Sequence, residues 1–467
     1  MKKIIYTLVF FGILTSCKKD QIIDEPDEEV IETPEPEVTE PANVVVGYLY
    51  TSINGESTNQ ILKLDRHEDG ALSNEVSYST NSLGGANTAA GGDARGDFDS
   101  QEALRIIDNY LLAVNAGGNE ITVFELNRET GELNFKENVT SGGSRPVSIA
   151  VANKAGEADQ YWIVIGNQWN NPNVQKDGET IERYPNDGFF ELDLTQPDAS
   201  DEERNITLFE FNSTTGDLSW VSKLDTYVRE NGGPTTVAFS DDGSKLAVAT
   251  WGVAHFGTEI TSLEEQHSSR VYVYDFENGS VTGERFFEEE GIAGTIGINW
   301  ARNSNSIIHA SNFNLLPTKR DHSLTILSDD GATVTKSQNF NTGALDDIDE
   351  ACWTILSPSA DRLYVSSFDG NLITPFELNS EGNVTNPLNY EQREDVAPPG
   401  DTKDMYITPD NKLLYNTGAF QSFTLNTFEI TDTGLDYKSQ YVYTSVNDSG
   451  GAGSYNFFWF VGFTILK

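Results

Sequence analysis

Five histidines, His67, His255, His267, His309 and His322, are the side chains of this 467-residue chain whose ordinary pKa lies near neutrality. None has the His-x-x-x-His spacing of a metal pair, so no metal is expected, and no motif in the chain asks for a cofactor. His255, His267 and His322 fall in segments that interrupt a regular pattern, with Glu259, Glu264, Glu265, Arg320 and Asp321 close by in sequence. Those residue types together suit a local acid–base or cation site. Trp169 and Trp251 open two of the same segments. With His255, His322 and Arg320 they form the set expected to touch a ligand, the indoles by stacking on a sugar or another flat group. The plainer role for aromatic residues in strands is packing between sheets, and Trp300 and Trp353 fit that role as well. Cys352 lies in an apolar strand, and the sequence identifies no base to activate it; it reads as a small buried hydrophobe.

Three patterns carry no chemistry. The glycines at 84–92 precede no helix and so make a loop, not a phosphate cradle. Arg95-Gly96-Asp97 is a tripeptide that occurs often by chance. Acidic turns such as Asp241-Asp242-Gly243 and Asp329-Asp330-Gly331 suit hairpins and lack the spacing of a calcium loop.

The elements that must position these residues repeat. Residues 110–146 run from an apolar strand (YLLAVN) through a Gly- and Asn-rich turn to an alternating strand (ITVFEL), a tight Glu129-Thr130-Gly131 turn and a second alternating strand. The same grammar returns at Tyr161, Lys245, Ser306, Arg362 and Lys412, with a less regular copy from Val44, and a further apolar strand precedes most copies. A single unit cannot bury its faces in water, so copies must stack. Seven units of four strands predict an all-β, seven-bladed propeller. The first unit lacks an inner strand while residues 458–466 are a spare one, so the C-terminal strand is expected to complete the N-terminal blade and close the ring.

Three units carry insertions between their second and third strands, at about residues 166–204, 251–269 and 311–322. Strands in a blade alternate in direction, so these insertions and the blade-to-blade crossings must emerge on one face. The central mouth on that face is the default pocket.

With 73 acidic and 30 basic residues the net charge is −43, which argues against nucleic acid or anionic lipid headgroups as partners. Residues 1–16 begin with Lys2 and Lys3 and continue into an apolar run at 4–14, too short to span a bilayer; they read as a signal peptide. Leu14-Thr15-Ser16-Cys17 resembles a bacterial lipobox, which implies acylation of Cys17. Residues 17–42, rich in Asp, Glu and Pro, cannot bury enough surface to order themselves and are expected to be a tether. The domain expectation is therefore 1–16 signal, 17–42 tether and 43–467 propeller. The expected location is the outer membrane of a gram-negative bacterium, held by the lipid alone, facing the cell surface, with the periplasmic face as the alternative. A monomer is expected, with a small-molecule or glycan ligand and an outer-membrane protein as candidate partners.

Laid out in this way, residues 43–467 resemble the seven-bladed lactonase-like propellers, a family that includes 6-phosphogluconolactonases and carboxymuconate-cyclising enzymes. The resemblance is most specific in residues 352–365 (CWTILSPSADRLYV), similar to the family's inner strand, SPDGR turn and second strand, and in residues 404–415 (DMYITPDNKLLY). It implies a propeller and, as activity, the opening or closing of a lactone. Enzymatic members tend to carry histidine at an inner-strand start; here the stretches read Arg145-Pro146-Val147-Ser148 and Gly233-Pro234-Thr235-Thr236. Where they often carry an acid, this chain has Gly294-Thr295-Ile296-Gly297. Ring opening needs a base for water and a donor for the oxyanion, and the usual positions do not supply the base. Two readings follow. One is a non-catalytic binding module for a small molecule, glycan or partner protein. The other is a lactonase-like hydrolase or cycloisomerase with His255 or His309 as base and Arg145 or Arg302 holding a carboxylate or phosphate.

Overall fold

The computed structural model describes residues 44–55, 58–85, 100–168, 174–177, 180–182, 204–228, 231–252, 255–256, 268–302, 304–313, 317–343, 350–368, 370–394, 402–418, 422–445 and 461–466. The expected signal peptide, Cys17 and tether lie outside these residues, as do Trp169, His267, Glu259, Glu264 and Glu265. Of His255 and Arg320 only the backbone is described.

Seven antiparallel sheets form the blades of a propeller. Their inner strands are Val461–Leu466, Leu104–Ile107, Pro146–Asn153, Pro234–Phe239, Thr295–Trp300, Ala351–Leu356 and Thr402–Ile407 for blades one to seven. Each inner strand packs beside the next, and Val461–Leu466 lies between those of blades seven and two, so the ring is closed. As the spare strand required, Val461–Leu466 pairs antiparallel with Val45–Ser52, with Tyr48 opposite Leu466. The chain's first and last described strands thus share one blade, which leaves no open seam for another chain to join.

Sequence pattern and position agree. The second strands, such as Tyr110–Asn115 and Ile307–Asn312, are mostly apolar and buried throughout, their polar side chains included. Outer strands such as Leu133–Thr140 keep an exposed side. The core is not one mass. Among the described residues seven apolar clusters form, most of them spanning one interface between neighbouring blades, among them Phe209 and Phe211 against Leu112 and Val123, and Tyr415 and Leu425 against Leu49 and Leu62, while one runs from Trp251 through Ile296 and Trp353 to Met405. Blades therefore cohere by lateral burial, as a repeat that is unstable alone demands.

A second set of contacts ties each blade to the hairpin turn joining the third and fourth strands of the next. Tyr50 Oη donates to Gly131 O at 2.7 Å, Tyr415 Oη donates to Gly70 O at 3.1 Å, and Arg362 Nη2 donates to Asp432 O at 2.9 Å. Tyr110 covers Gly216, and Trp162 covers Gly279. Lys245 pairs with Asp329 at 2.5 Å. The seventh of these contacts is made by His309, described below.

The insertions of blades three and four meet. Val174–Asp177 forms a hairpin with Thr180–Glu182 and pairs in parallel with His255–Phe256, His255 standing opposite Val174. A six-residue 3-10 turn, Pro317–His322, closes the insertion of blade five.

Candidate functional site

At the start of blade two the chain leaves its own sheet. Glu102 adopts a left-handed φ of 67°, and residues 100–102 cross the axis. Trp353 Nε1 donates to Ser100 O at 2.7 Å, Gln101 N donates to Thr236 Oγ1 at 3.2 Å, and Ile149 N donates to Glu102 O at 2.9 Å. The Gln101 amide bridges two blades, accepting from Thr354 N at 3.0 Å and donating to Ile298 O at 3.4 Å. Blades three, four, five and six thus grip one tripeptide, and the channel is plugged. Gly297 makes room for it: a Cβ there would stand 2.5 Å from Gln101 Oε1 and 2.7 Å from Thr354 N.

Beyond the plug, towards the ends of the inner strands, the channel widens into a cavity of about 630 Å³. Its walls are apolar rungs from successive inner strands, including Val151, Val237, Ile298 and Ile355. Its polar lining is Glu102, Arg105, Asp241, Asn299, Arg302, Tyr406 and Thr464. Arg105, one turn of alternation beyond the plug on Leu104–Ile107, forms an ion pair with Glu102 through Nη1. Arg302, in the turn leaving the inner strand of blade five, is exposed and donates through Nη1 to Pro358 O at 2.5 Å. Asn299 Nδ2 donates to Thr354 O at 3.0 Å. Burial, followed by the Glu102 charge, pushes the Tyr406 hydroxyl up, while a hydrogen bond with Thr464 and the Arg105 charge oppose the shift. Two guanidinium groups, two carboxylates, a phenol and an amide therefore meet around one cavity with a closed floor, and one guanidinium, that of Arg105, is paired with the Glu102 carboxylate. Such a set can hold an anion and orient hydroxyl groups.

This cavity opens on the face opposite the insertions, because inner strands run from the insertion side towards it. The default pocket expected on the insertion face is thus not where the described cavity lies; alternation of strand direction placed the insertions correctly but said nothing of which mouth is plugged.

The residues expected to do chemistry are scattered. Arg302 lines the cavity. Arg145 does not: 7% exposed, with φ 59°, it starts the inner strand of blade three at the other end of the channel, its N bonded to Asn119 Oδ1 at 2.7 Å. His309 is fully buried in blade five, with Nε2 2.7 Å from Gly382 O in blade six, and burial drives its pKa down to about 4. It packs between blades and lines none of the described cavities, a position unsuited to a base that must reach substrate. Trp251 is 0% exposed and packs against Phe313 with ring centroids 5.8 Å apart. Its ring offers no stacking surface, because the chain turns it into the core before the insertion begins. Cys352 is buried, as expected.

His322 stands in an ion cluster away from the axis. Its Nδ1 lies 2.6 Å from Asp321 Oδ1 and its Nε2 2.7 Å from Lys336 Nζ. A lysine donates, so Nε2 accepts and the proton sits on Nδ1. Burial opposes ionisation of nearby Glu289, but Lys336 at 2.6 Å and Lys319 at 2.9 Å outweigh it and hold its carboxyl at about 2. The lysines fill the places a cation would take, and no cluster of metal-ligating residues occurs among the described residues.

Gln101, Glu102, Arg105 and Tyr406 were not singled out by the sequence pattern. The available signal was the tetrapeptide Leu104–Ile107, apolar apart from Arg105, before a two-residue turn, too short to stand out as a strand.

No protein-family model matches the sequence, and no curated protein matches it. Solved structures do match in fold. A putative 6-phosphogluconolactonase from Bacteroides fragilis superposes with a TM-score of 0.55 at 14% identity, covering 90% of this chain and 98% of its own. A periplasmic gluconolactonase from Pseudomonas aeruginosa gives 0.56 at 12% identity over 89% and 99%. A hypothetical selenium-binding protein from Sulfolobus tokodaii gives 0.57 at 9% identity over 90% and 93%. The chain is a seven-bladed propeller whose fold these solved structures share.

Proposed function

We propose that this protein is a binding propeller that captures a small hydroxylated carboxylate in its central cavity. The observation that carries this reading is the convergence of Arg105 and Arg302 on one cavity in a chain whose net charge is −43. Guanidinium groups give paired bonds to a carboxylate, and the amide, phenol and hydroxyl of Asn299, Tyr406 and Thr464 suit sugar hydroxyls. The lipobox-like Leu14-Thr15-Ser16-Cys17 and the acidic tether support anchoring on an outer membrane, with the propeller held clear of the lipid.

Catalysis is the second reading, favoured by the presence of Glu102 in the cavity and by the printed names of the gluconolactonase-type neighbours. Glu102 would then take a proton from water, and Arg302 or Tyr406 would steady the oxyanion. Its pairing with Arg105 opposes this, because the carboxylate oxygen is already engaged by a donor.

Calorimetry with gluconate and related sugar acids tests binding. The Arg302→Gln variant should lower affinity about tenfold or more, the loss of one charged hydrogen bond. Absence of binding across the panel would remove the proposal. Titrating acid released from the corresponding lactones tests the second reading, which requires turnover that Glu102→Gln abolishes.

A further inference from the structure

The rim of the cavity is not of even height. Inner and second strands are joined by residues 154–159, 240–244, 301–306, 357–361 and 408–412 in blades three to seven, five or six residues each. In blade two the corresponding turn is Asp108-Asn109 alone, with Ile107 paired directly to Tyr110. Asp108 takes the φ of 48° that so tight a hairpin requires. In blade one the two strands come from opposite ends of the chain, so no turn joins them.

A groove follows this notch. It has a volume of about 690 Å³ and begins at Ile106, Tyr406 and Thr464, which also line the central cavity. It passes over Asp108 and Asn109 and ends at Arg128, Asp159, Ser213 and Thr214 in the turns of blades two and three. It therefore runs radially from the axis to the rim. Its surface is a mixture of donors and acceptors, and its charges are already engaged: Tyr161 Oη donates to Asp108 Oδ2 at 2.7 Å, and Arg128 Nη1 donates to Asp108 O at 2.5 Å. Hydrogen bonds with Ser213 and Tyr161 outweigh burial and hold the Asp108 carboxyl below its usual range.

We propose that the cavity and groove form one extended site for an oligosaccharide that is neutral along its length and ends in a carboxylate. The acid sits between Arg105 and Arg302, and the following sugar units leave through the notch over Asp108 and Asn109. The carboxylates of Asp108 and Asp159 disfavour a chain charged at every unit, and the mostly polar lining of the groove disfavours a lipid tail or an apolar peptide along it. This inference rests on the binding reading above and specifies its ligand.

The test measures affinity for aldonic acids one, two and three sugar units long, made from gluco-, galacto-, manno- and xylo-oligosaccharides. For at least one series the trimer should bind at least tenfold more tightly than the monomer. Replacing Asp108-Asn109 with the sequence of residues 357–361 rebuilds the rim, and should bring that ratio close to one. Thr214→Trp, at an exposed position that obstructs the outer groove without altering the hairpin, should do the same if the rebuilt turn fails to fold. Monomers that bind with no gain in any series would overturn the extended site while leaving the binding reading intact. A gain that survives both variants would overturn the notch as its path. Absence of monomer and trimer binding alike would remove both proposals.

Discussion

Nε2 of His309, in the second strand of blade five, lies 2.7 Å from the carbonyl oxygen of Gly382 in the turn of blade six. Tyr415 makes the same contact with Gly70, and Tyr50 makes it with Gly131. The imidazole thus does the work of a tyrosine hydroxyl at an equivalent place in the repeat. The acceptor is a carbonyl, so the Nε2 tautomer carries the proton, and protonating the buried Nδ1 would place a charge where nothing compensates it.

A pH dependence follows from this pairing. The folded pKa is about 4, below the ordinary 6.5, so as pH falls the unfolded chain takes up a proton before the folded one does. Stability should be unaffected above about pH 6.5, decline across the window down to about 4, and show no further loss from this group below it. The decline is at most about 3 kcal/mol. Urea unfolding at several pH values should reveal it, and His309→Tyr should flatten that window.

The plug makes a separate prediction. Gln101→Ala leaves the buried Thr354 N without its acceptor and should lower stability by about 1–3 kcal/mol in the same assay. Gly297→Ala should act in the same direction, since its methyl group and the Gln101 amide cannot both fit.

Two glycines with similar backbone strain but different surroundings separate strain from contact. Gly216, at φ 74°, faces the Tyr110 ring, where a Cβ would come within 2.2 Å of Cε1; Gly331, at φ 88°, faces open space. Gly331→Ala should cost only the left-handed conformation, about 1–2 kcal/mol. Gly216→Ala should cost at least about 1 kcal/mol more, because the ring that joins blades two and three must move. Equal thermal shifts for the two variants would contradict the packing role.

Asp329 is the buried anion at the junction of blades four and five. Its side chain is fully buried and receives Arg285 at 2.5 and 2.6 Å and Lys245 at 2.5 Å. Burial works against the charge, but these cations outweigh it and hold the carboxyl below its usual range. Asp329→Ala removes the buried anion between the two cations, leaving Arg285 with Asp275 and Lys245 with Asn305 O, and should lower stability by about 2–4 kcal/mol, read from the denaturation midpoint.

Much of the fold was legible before any coordinate. Strand periodicity and turn residues located the blades, the spare strand at 458–466 announced the closure, and strand alternation put the insertions on one face. The candidate site was less legible. Arg302 was named with Arg145 as a cation able to hold an anion, and only Arg302 lines the cavity, whereas Arg105 and Glu102 sit in a blade whose inner strand is four residues long and leaves no clear pattern. His309 attracted attention by type, and Trp251 by standing where an insertion begins.

The sequence by itself determined the repeat and its number, because burial periodicity and turn chemistry act between residues close in the chain, and it showed a spare strand at the end without fixing how the ring brings side chains together. Only the tertiary structure decided that Gln101 plugs the channel, that Arg105 and Arg302 share a cavity, and that His309 serves a neighbouring blade. Those relationships join residues up to about 250 positions apart, such as Ser100 and Trp353. They depend on how the blades close into a ring, which no local pattern encodes.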